Sequence, residues 1–140
     1  GVDLTAVARS RSVWAFTGVA GRAASFEARR EHAMEADETL TRWRLSGLET
    51  AWTLERVSRL RDSYRLRPDD GGPSIRFDGE TGSEAREYAV TGGGLGMTTR
   101  TSGLRTRLSG PAPGLGPTRA AVLGAALVLL RLDPPRRHGS

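Results

Sequence analysis

Apolar and polar residues alternate in five short segments of the chain. In the first, "TLTRWRLSG", Trp43 and Leu45 fall on one side of an extended backbone and Arg42 and Arg44 fall on the other. Because successive side chains of a β-strand point to opposite faces, a period of two predicts antiparallel strands with one buried and one wet face. The other four segments are "TAWTLERV", "SYRLRP", "SIRFDG" and "GLRTRLSG".

Two segments predict helices instead. Residues 22–38, "RAASFEARREHAMEADE", are dominated by Ala, Glu, Arg and Met and contain no Gly or Pro, which is typical of a surface helix. Near the C-terminus, the eleven residues from Ala120 to Leu130 are all apolar. Thr118 can cap the start of a helix there, and a Pro-Pro pair ends it.

The C-terminal helix, residues 118–132, is too short to cross a bilayer. About 14 residues at 1.5 Å each span roughly 21 Å, whereas the hydrocarbon core is roughly 30 Å thick. A helix that is apolar on every side has to be covered on every side. The apolar face of the chain's own sheet is the best cover. Contact with a second copy and insertion into a membrane surface are the alternatives.

The predicted fold class is therefore α+β: a curved antiparallel β-sheet of about five to seven strands packed on or around a long apolar C-terminal helix, with one further N-terminal helix. A chain of 140 residues fits a single domain, which we expect over residues 1–133, with a tail at 134–140. The chain has no cysteine, which excludes disulfides and thiolate chemistry. The N-terminal segment has no unbroken apolar core of the length that a secretory signal needs, so a cytoplasmic location is expected.

Charge is unevenly placed along the chain. All 21 basic residues are arginine, which indicates a GC-rich, bacterial genome or selection for guanidinium groups that bind phosphate and carboxylate. Residues 92–140 hold seven arginines and one acid, net +6, whereas residues 1–91 sum to −1. A segment of one sign attracts anions, unless its arginines pair with carboxylates earlier in the chain.

Two motifs that suggest cofactor or metal binding are incomplete. "TGGGLGMTTRTSG" lacks the lysine of a phosphate-binding loop and has Met97 where the third glycine of G-x-G-x-x-G belongs. His32 has Glu35 at helical spacing, but a zinc site needs more convergent ligands. We therefore expect no cofactor and no metal, and the sequence leaves open whether the protein is an enzyme.

The aromatic residues of the strands form the main candidate site. Nearly all fall on the apolar side of a predicted strand, where they either fill an ordinary core or line a cavity for an apolar ligand. Stacking on nucleic acid needs rings exposed beside arginines, and the alternation separates the two, so a nucleic-acid partner is not expected. Arg56 or Arg100 would offer a charge at the mouth of the cavity. The candidate ligand-binding residues are Trp43, Trp52, Arg56, Tyr64, Phe77, Tyr88 and Arg100.

The order of elements and one short motif resemble the START-like (SRPBCC) helix-grip superfamily, which includes polyketide cyclases. In "DETLTRWRLSGLETAWTLERV" the matching residues are Trp43, Gly47, Trp52, Thr53 and Arg56. The resemblance implies an apolar ligand bound between the sheet and the C-terminal helix, and in some members the cyclisation or dehydration of polyketides. The chain departs from the family in its first strand and in its last helix, which lacks a charged outer face.

The last helix fits a second resemblance better. Tubby-like and LURP-one-related domains thread one apolar C-terminal helix through their sheet, and "RLRDSYRLRPDDGGP" is similar to their strand–turn repeats. In that interpretation residues 22–38 would be partly strand, which their composition resists. The implied role is binding to membrane or phosphoinositide surfaces.

Two functions from different classes follow. The first is a small-molecule binding domain, whose cavity between the sheet and helix 118–132 takes an apolar ligand. A cyclase-like enzyme is one form that this domain could take. The second is a non-enzymatic adaptor that binds an anionic membrane surface or an acidic partner through the basic C-terminal third. A homo-oligomer formed through the C-terminal helix is compatible with both.

Overall fold

Ten strands and one helix make up the described part of the computed structural model, which covers residues 3–10, 12–20, 22–31, 42–57, 63–79, 87–102, 105–111 and 116–132. The strands form one sheet in the order of the chain, and each pairs antiparallel with the next. They are β1 (Asp3–Ala8), β2 (Val13–Ala20), β3 (Arg22–Glu31), β4 (Arg42–Ser46), β5 (Trp52–Arg56), β6 (Ser63–Pro68), β7 (Ile75–Gly79), β8 (Tyr88–Gly92), β9 (Leu95–Ser102) and β10 (Arg105–Ser109), and the helix is α1 (Pro117–Leu132).

One face of the sheet is apolar because the register keeps apolar residues opposite one another. Phe16 of β2 lies opposite Phe26 of β3, and their rings stack with centroids 5.3 Å apart. Further along the sheet, Leu54 of β5 lies opposite Leu66 of β6. All four side chains are buried. We call this the inner face of the sheet, and the opposite one the outer face.

Helix α1 is covered on nearly all sides. Pro117 begins the helix, a position where a missing backbone N–H is tolerated. From residue 121 to residue 130, Gly124 and Val128 are half-buried and the other positions are buried. The buried residues of α1 belong to one core cluster with those of the inner face. Among the described residues, no helix is long and apolar enough to span a membrane.

The predicted fold class is wrong in its strand number and in its helices. The sheet has ten described strands instead of five to seven. Residues 22–31 of the predicted N-terminal helix form strand β3, and residues 32–38 lie outside the described part. Helix α1 agrees with the predicted residues 118–132 to within one residue at its start, but with 16 residues it is a short helix and not the long one expected.

Strand pairing overrides the helix propensity of residues 22–31. Ala, Glu and Arg differ from ordinary residues by only a few tenths of a kcal/mol each in helix propensity. Strand β3 instead pairs with β2 over eight positions and with β4 over five. Phe26 and Ala28 are buried whereas Arg29 is exposed. Buried and exposed side chains therefore alternate along this part of β3, although its amino-acid composition is typical of a helix.

The five alternating segments are confirmed as strands β4, β5, β6, β7 and β10. The alternation of apolar and polar residues does not single out β1, β2, β8 and β9, because small or hydroxyl residues occupy inner positions of β1 and β9 and outer positions of β2 and β8. Ala6 of β1 packs against the core although it is only partly buried. Thr99 of β9 is buried, and its Oγ1 accepts a hydrogen bond from the Tyr88 N–H at 2.8 Å.

Candidate functional site

The five predicted aromatic ligand residues all lie in the core, in one cluster with residues of α1. Their exposed fractions range from 0% for Phe77 to 7% for Trp52. The rings of Tyr64 and Tyr88 meet edge to face with centroids 6.3 Å apart. The structure therefore brings these residues together as packed core side chains, and the binding of an apolar ligand among them stays a prediction. The full set is Trp43, Trp52, Tyr64, Phe77 and Tyr88.

The two predicted arginines lie in different places. Arg56, at the end of β5, is 4% exposed. Its Nη1 donates a hydrogen bond to the Tyr64 hydroxyl at 3.0 Å, and its guanidinium carbon lies 5.5 Å from the centre of the Tyr64 ring. Such partners offset part of the cost of burying a charge. Arg100 lies on β9 opposite Arg107, and its side chain lies outside the described part of the structure.

The outer face carries an array of arginines that the aromatic interpretation does not use. Two arginines of β4 and two of β6 alternate with buried residues, so they point outward on either side of β5. Neighbouring strands lie about 4.8 Å apart, which places β4 and β6 about 10 Å apart with β5 midway between them. We call these four residues the arginine quartet. It consists of Arg42, Arg44, Arg65 and Arg67.

Glu55 of β5 lies between Arg42 and Arg65, and both arginines reach its carboxylate. Arg42 Nη2 donates to Oε2 at 3.4 Å, and Arg65 donates to Oε1 through Nε at 3.1 Å and Nη2 at 2.5 Å. The Glu55 side chain is only 12% exposed, although the arginine side chains are 47% and 45% exposed. Arginines of the two flanking strands therefore converge over β5 and hold one carboxylate between them. We call this arrangement the Glu55 clamp.

Two residues away along β5, Arg44 and Arg67 lie on either side of Thr53 in the same register. Thr53 is 5% exposed and carries a hydroxyl in place of a carboxylate. Arg44 forms an ion pair with Asp69 at 2.5 Å. Arg67 is exposed and makes no ion pair in the part of the chain that the structure describes. This arrangement, the Thr53 clamp, repeats the Glu55 clamp without an acid at its centre.

The Thr53 clamp lies in a locally positive surface. The quartet brings four positive charges, and Glu55 and Asp69 bring two negative ones, which leaves a net +2. On the neighbouring strand β7, Arg76 pairs with Asp78 at 3.0 Å and adds no net charge. Guanidinium groups stay charged in proteins and present planar N–H donors that match phosphate and carboxylate oxygens. The quartet is therefore suited to binding an oxyanion rather than to transferring protons.

A cavity of about 300 Å³ lies at one end of the sheet, between the β4–β5 turn, the β6–β7 turn and the first turn of α1. Trp52 and Pro68 line it, and Glu49, Asp70 and Arg119 bring charges of both signs to it. The mixed charges do not favour one class of ligand. Within the described ranges, no group of three His, Asp or Glu side chains is placed to hold a metal ion.

The sequence predicts the components of the Thr53 clamp but not the clamp. Alternation already places Arg44 on the wet face of β4 and Arg67 on that of β6. What brings them together is the register of three strands, in which Thr53 is paired with both. A register depends on turn geometry and on burial of the opposite face, and an outward-facing threonine gives no signal of its own.

This chain matches no protein-family model, no curated protein and no solved structure.

Proposed function

We propose that this domain is a non-enzymatic adaptor that binds a phosphate-bearing membrane surface through the Thr53 clamp. The observation that carries the proposal is the pair of clamps on β5. In the Glu55 clamp, two arginines hold an oxyanion that belongs to the chain. In the Thr53 clamp, the same cross-strand arrangement has no acid between its arginines. An external phosphate would complete the second clamp as Glu55 completes the first.

The proposed surface differs from the basic C-terminal third expected from the sequence. Of the arginines in that third, Arg119 lies at the end of the sheet, where it lines the cavity beside Glu49 and Asp70. Four arginines on two strands of one outer face provide a better-defined surface. A cytoplasmic location, expected from the sequence, would place this surface beside the anionic leaflet of a membrane.

The tubby-like resemblance supports the same function, because it implies a membrane-binding domain whose sheet surrounds one apolar helix. Helix α1 is buried on nearly all sides, and its buried residues share one core cluster with the inner face of the sheet. The START-like resemblance implies a cavity between sheet and helix, and it finds less support. The aromatic side chains that would line such a cavity are at most 7% exposed and share one core cluster with α1.

Co-sedimentation with vesicles tests the proposal. We expect the protein to bind phosphatidylcholine vesicles that contain phosphatidic acid and not pure phosphatidylcholine vesicles. Each arginine of the Thr53 clamp would donate a hydrogen bond to the charged phosphate, worth about 1.5–3 kcal/mol, so the double variant Arg44→Gln/Arg67→Gln should bind at least about 100-fold more weakly. Higher salt should weaken binding of the wild-type protein as well, since exposed charges are screened.

A matched control removes two other outer-face arginines. Arg29 and Arg76 flank the quartet on β3 and β7, with side chains 68% and 59% exposed. Arg29→Gln/Arg76→Gln removes the same charge but leaves both clamps in place, so it should lose only the general attraction of about 1 kcal/mol for each arginine, about 30-fold in total. An equal loss in both double variants would mean that net charge, and not the Thr53 clamp, governs binding. Absence of wild-type binding to any anionic vesicle would refute the function itself.

A further inference from the structure

We infer that the outer-face site selects a single isolated phosphate over two neighbouring phosphates, and that Glu55 determines this selection. The inference rests on the proposed function, because it assigns the class of headgroup that the Thr53 clamp would accept. It starts from the position of the two clamps, which share the strands β4, β5 and β6 and lie side by side on the outer face.

The two clamps are spaced for two anions. Thr53 and Glu55 are two residues apart on β5, which separates them by about 6.8 Å along the strand. Two phosphates on neighbouring positions of one headgroup are separated by a similar distance. With a neutral residue at position 55, the quartet would offer each phosphate its own pair of arginines. With Glu55 present, one of these two positions already holds a carboxylate.

Glu55 is held too firmly to be displaced by a second phosphate. Three hydrogen bonds from Arg42 and Arg65 reach its carboxylate, and its side chain is 12% exposed. To let a phosphate in, both arginines would have to release it, and the carboxylate would stay close by and repel the newcomer. A second phosphate therefore meets a negative charge where it needs a positive one.

Asp69 presents no comparable obstacle to the first phosphate. It pairs with Arg44 alone, at 2.5 Å, and its side chain is 39% exposed. Exposed ion pairs of this kind are weak and readily exchange for another anion. Asp69 can therefore release Arg44 and move into solvent when a phosphate binds between Arg44 and Arg67. One clamp is open to exchange and the other is closed, which gives room for one phosphate.

The experiment compares two anionic lipids in vesicles of equal total charge. One is phosphatidic acid, which carries a single phosphate monoester, and the other is a phosphatidylinositol bisphosphate with two phosphates on adjacent ring positions. The wild-type protein should bind the phosphatidic acid vesicles more tightly than the bisphosphate vesicles. Glu55→Thr, which converts the Glu55 clamp into a second Thr53 clamp, should strengthen binding to the bisphosphate at least tenfold and change binding to phosphatidic acid much less.

Exchanging the two residues of β5 provides a charge-matched control. Thr53→Glu fills the open clamp with its own carboxylate and should abolish binding to both lipids. The double variant Thr53→Glu/Glu55→Thr has the composition and charge of the wild type but the open clamp two residues away, so binding to phosphatidic acid should return. Failure of the double variant to recover, although folded by circular dichroism, would show that the two clamps are not equivalent and would overturn the inference.

Further outcomes separate this inference from the proposed function. If the wild type binds the bisphosphate tenfold more tightly and Glu55→Thr leaves the ratio unchanged, the selection by Glu55 is wrong and the membrane function stands. If Glu55→Thr does not fold, Glu55→Gln removes the charge with the same shape, and it too should shift the ratio towards the bisphosphate. Soluble glycerol 3-phosphate that binds as tightly as the vesicles would assign the site to free phosphate, which would refute the membrane function alone. No binding to any of these probes would refute both.

Discussion

At the scale of single residues, glycine positions show where backbone geometry allows no alternative. Gly92, at the end of β8, has a φ of +100°, and a Cβ there would overlap the carbonyl oxygen of Ser74 on the neighbouring chain segment. Both a left-handed backbone and a close approach of two chain segments therefore require glycine at this position. The tight β8–β9 turn that follows depends on this geometry.

We predict that Gly92→Ala destabilises the fold by about 3 kcal/mol, because backbone strain adds to the overlap. Two other glycines separate these causes. Gly71 has a φ of +81° with no atom within 4 Å of a Cβ, so Gly71→Ala should cost about 1 kcal/mol from strain alone. Gly96 has neither feature, and Gly96→Ala should stay within about 0.5 kcal/mol. Urea denaturation of the three variants measures how much each one lowers the free energy of unfolding. A Gly96 variant as unstable as the Gly92 variant would contradict the predicted order.

At the scale of secondary structure, alternation identifies a strand most clearly when its inner residues are large and its outer residues are charged. Strands β4 and β6 meet this condition, with Trp43 and Leu45 or Tyr64 and Leu66 on the inner face and arginines on the outer face. Strand β3 does not, because Ala28 on its inner face reads equally well as a helix residue. The sequence therefore predicts five of the ten described strands, and it assigns the residues of β3 to a helix.

The position of helix α1 is predicted to within one residue at its start, although the helix is shorter than the long one expected. An unbroken apolar segment requires cover on all sides. Its two valines test how complete that cover is. Val122 is fully buried, with 0% exposure, whereas Val128 is half-buried on the helix side that also includes Gly124. We predict that Val122→Ala costs about 2–3 kcal/mol, through lost burial and the cavity left behind.

Val128→Ala makes the same chemical change at the half-buried position, so it should cost about 1 kcal/mol or less. Thermal unfolding followed by circular dichroism compares the two variants directly. Equal shifts in Tm would mean that Val128 is covered as completely as Val122 in solution, for example by a second copy of the chain.

At the scale of the whole molecule, the order of the chain makes the core depend on its last element. Each strand pairs with its sequence neighbour, so the sheet is built from local hairpins. Helix α1 comes last, yet it packs against β1 and β2, about a hundred residues earlier in the sequence. The inner face therefore stays uncovered until residues 117–132 are in place. Local alternation reveals the hairpins, but nothing local reveals this long-range closure or the register that assembles the arginine quartet.

We predict that a chain ending at residue 116 does not form a cooperative structure. Helix α1 buries five large side chains, and each contributes about 1.5–3 kcal/mol, so their sum is comparable to the 5–15 kcal/mol that stabilises a typical domain. These five are Val122, Leu123, Leu127, Leu129 and Leu130. Without them the inner-face aromatic residues would face water, and the truncated chain should bind a hydrophobic dye and lose its sharp thermal transition. A chain ending at residue 132 keeps every residue that the structure describes and serves as the control. A transition as sharp for the shorter chain as for this control would show that the sheet covers its own inner face, and that α1 is an addition to a finished core.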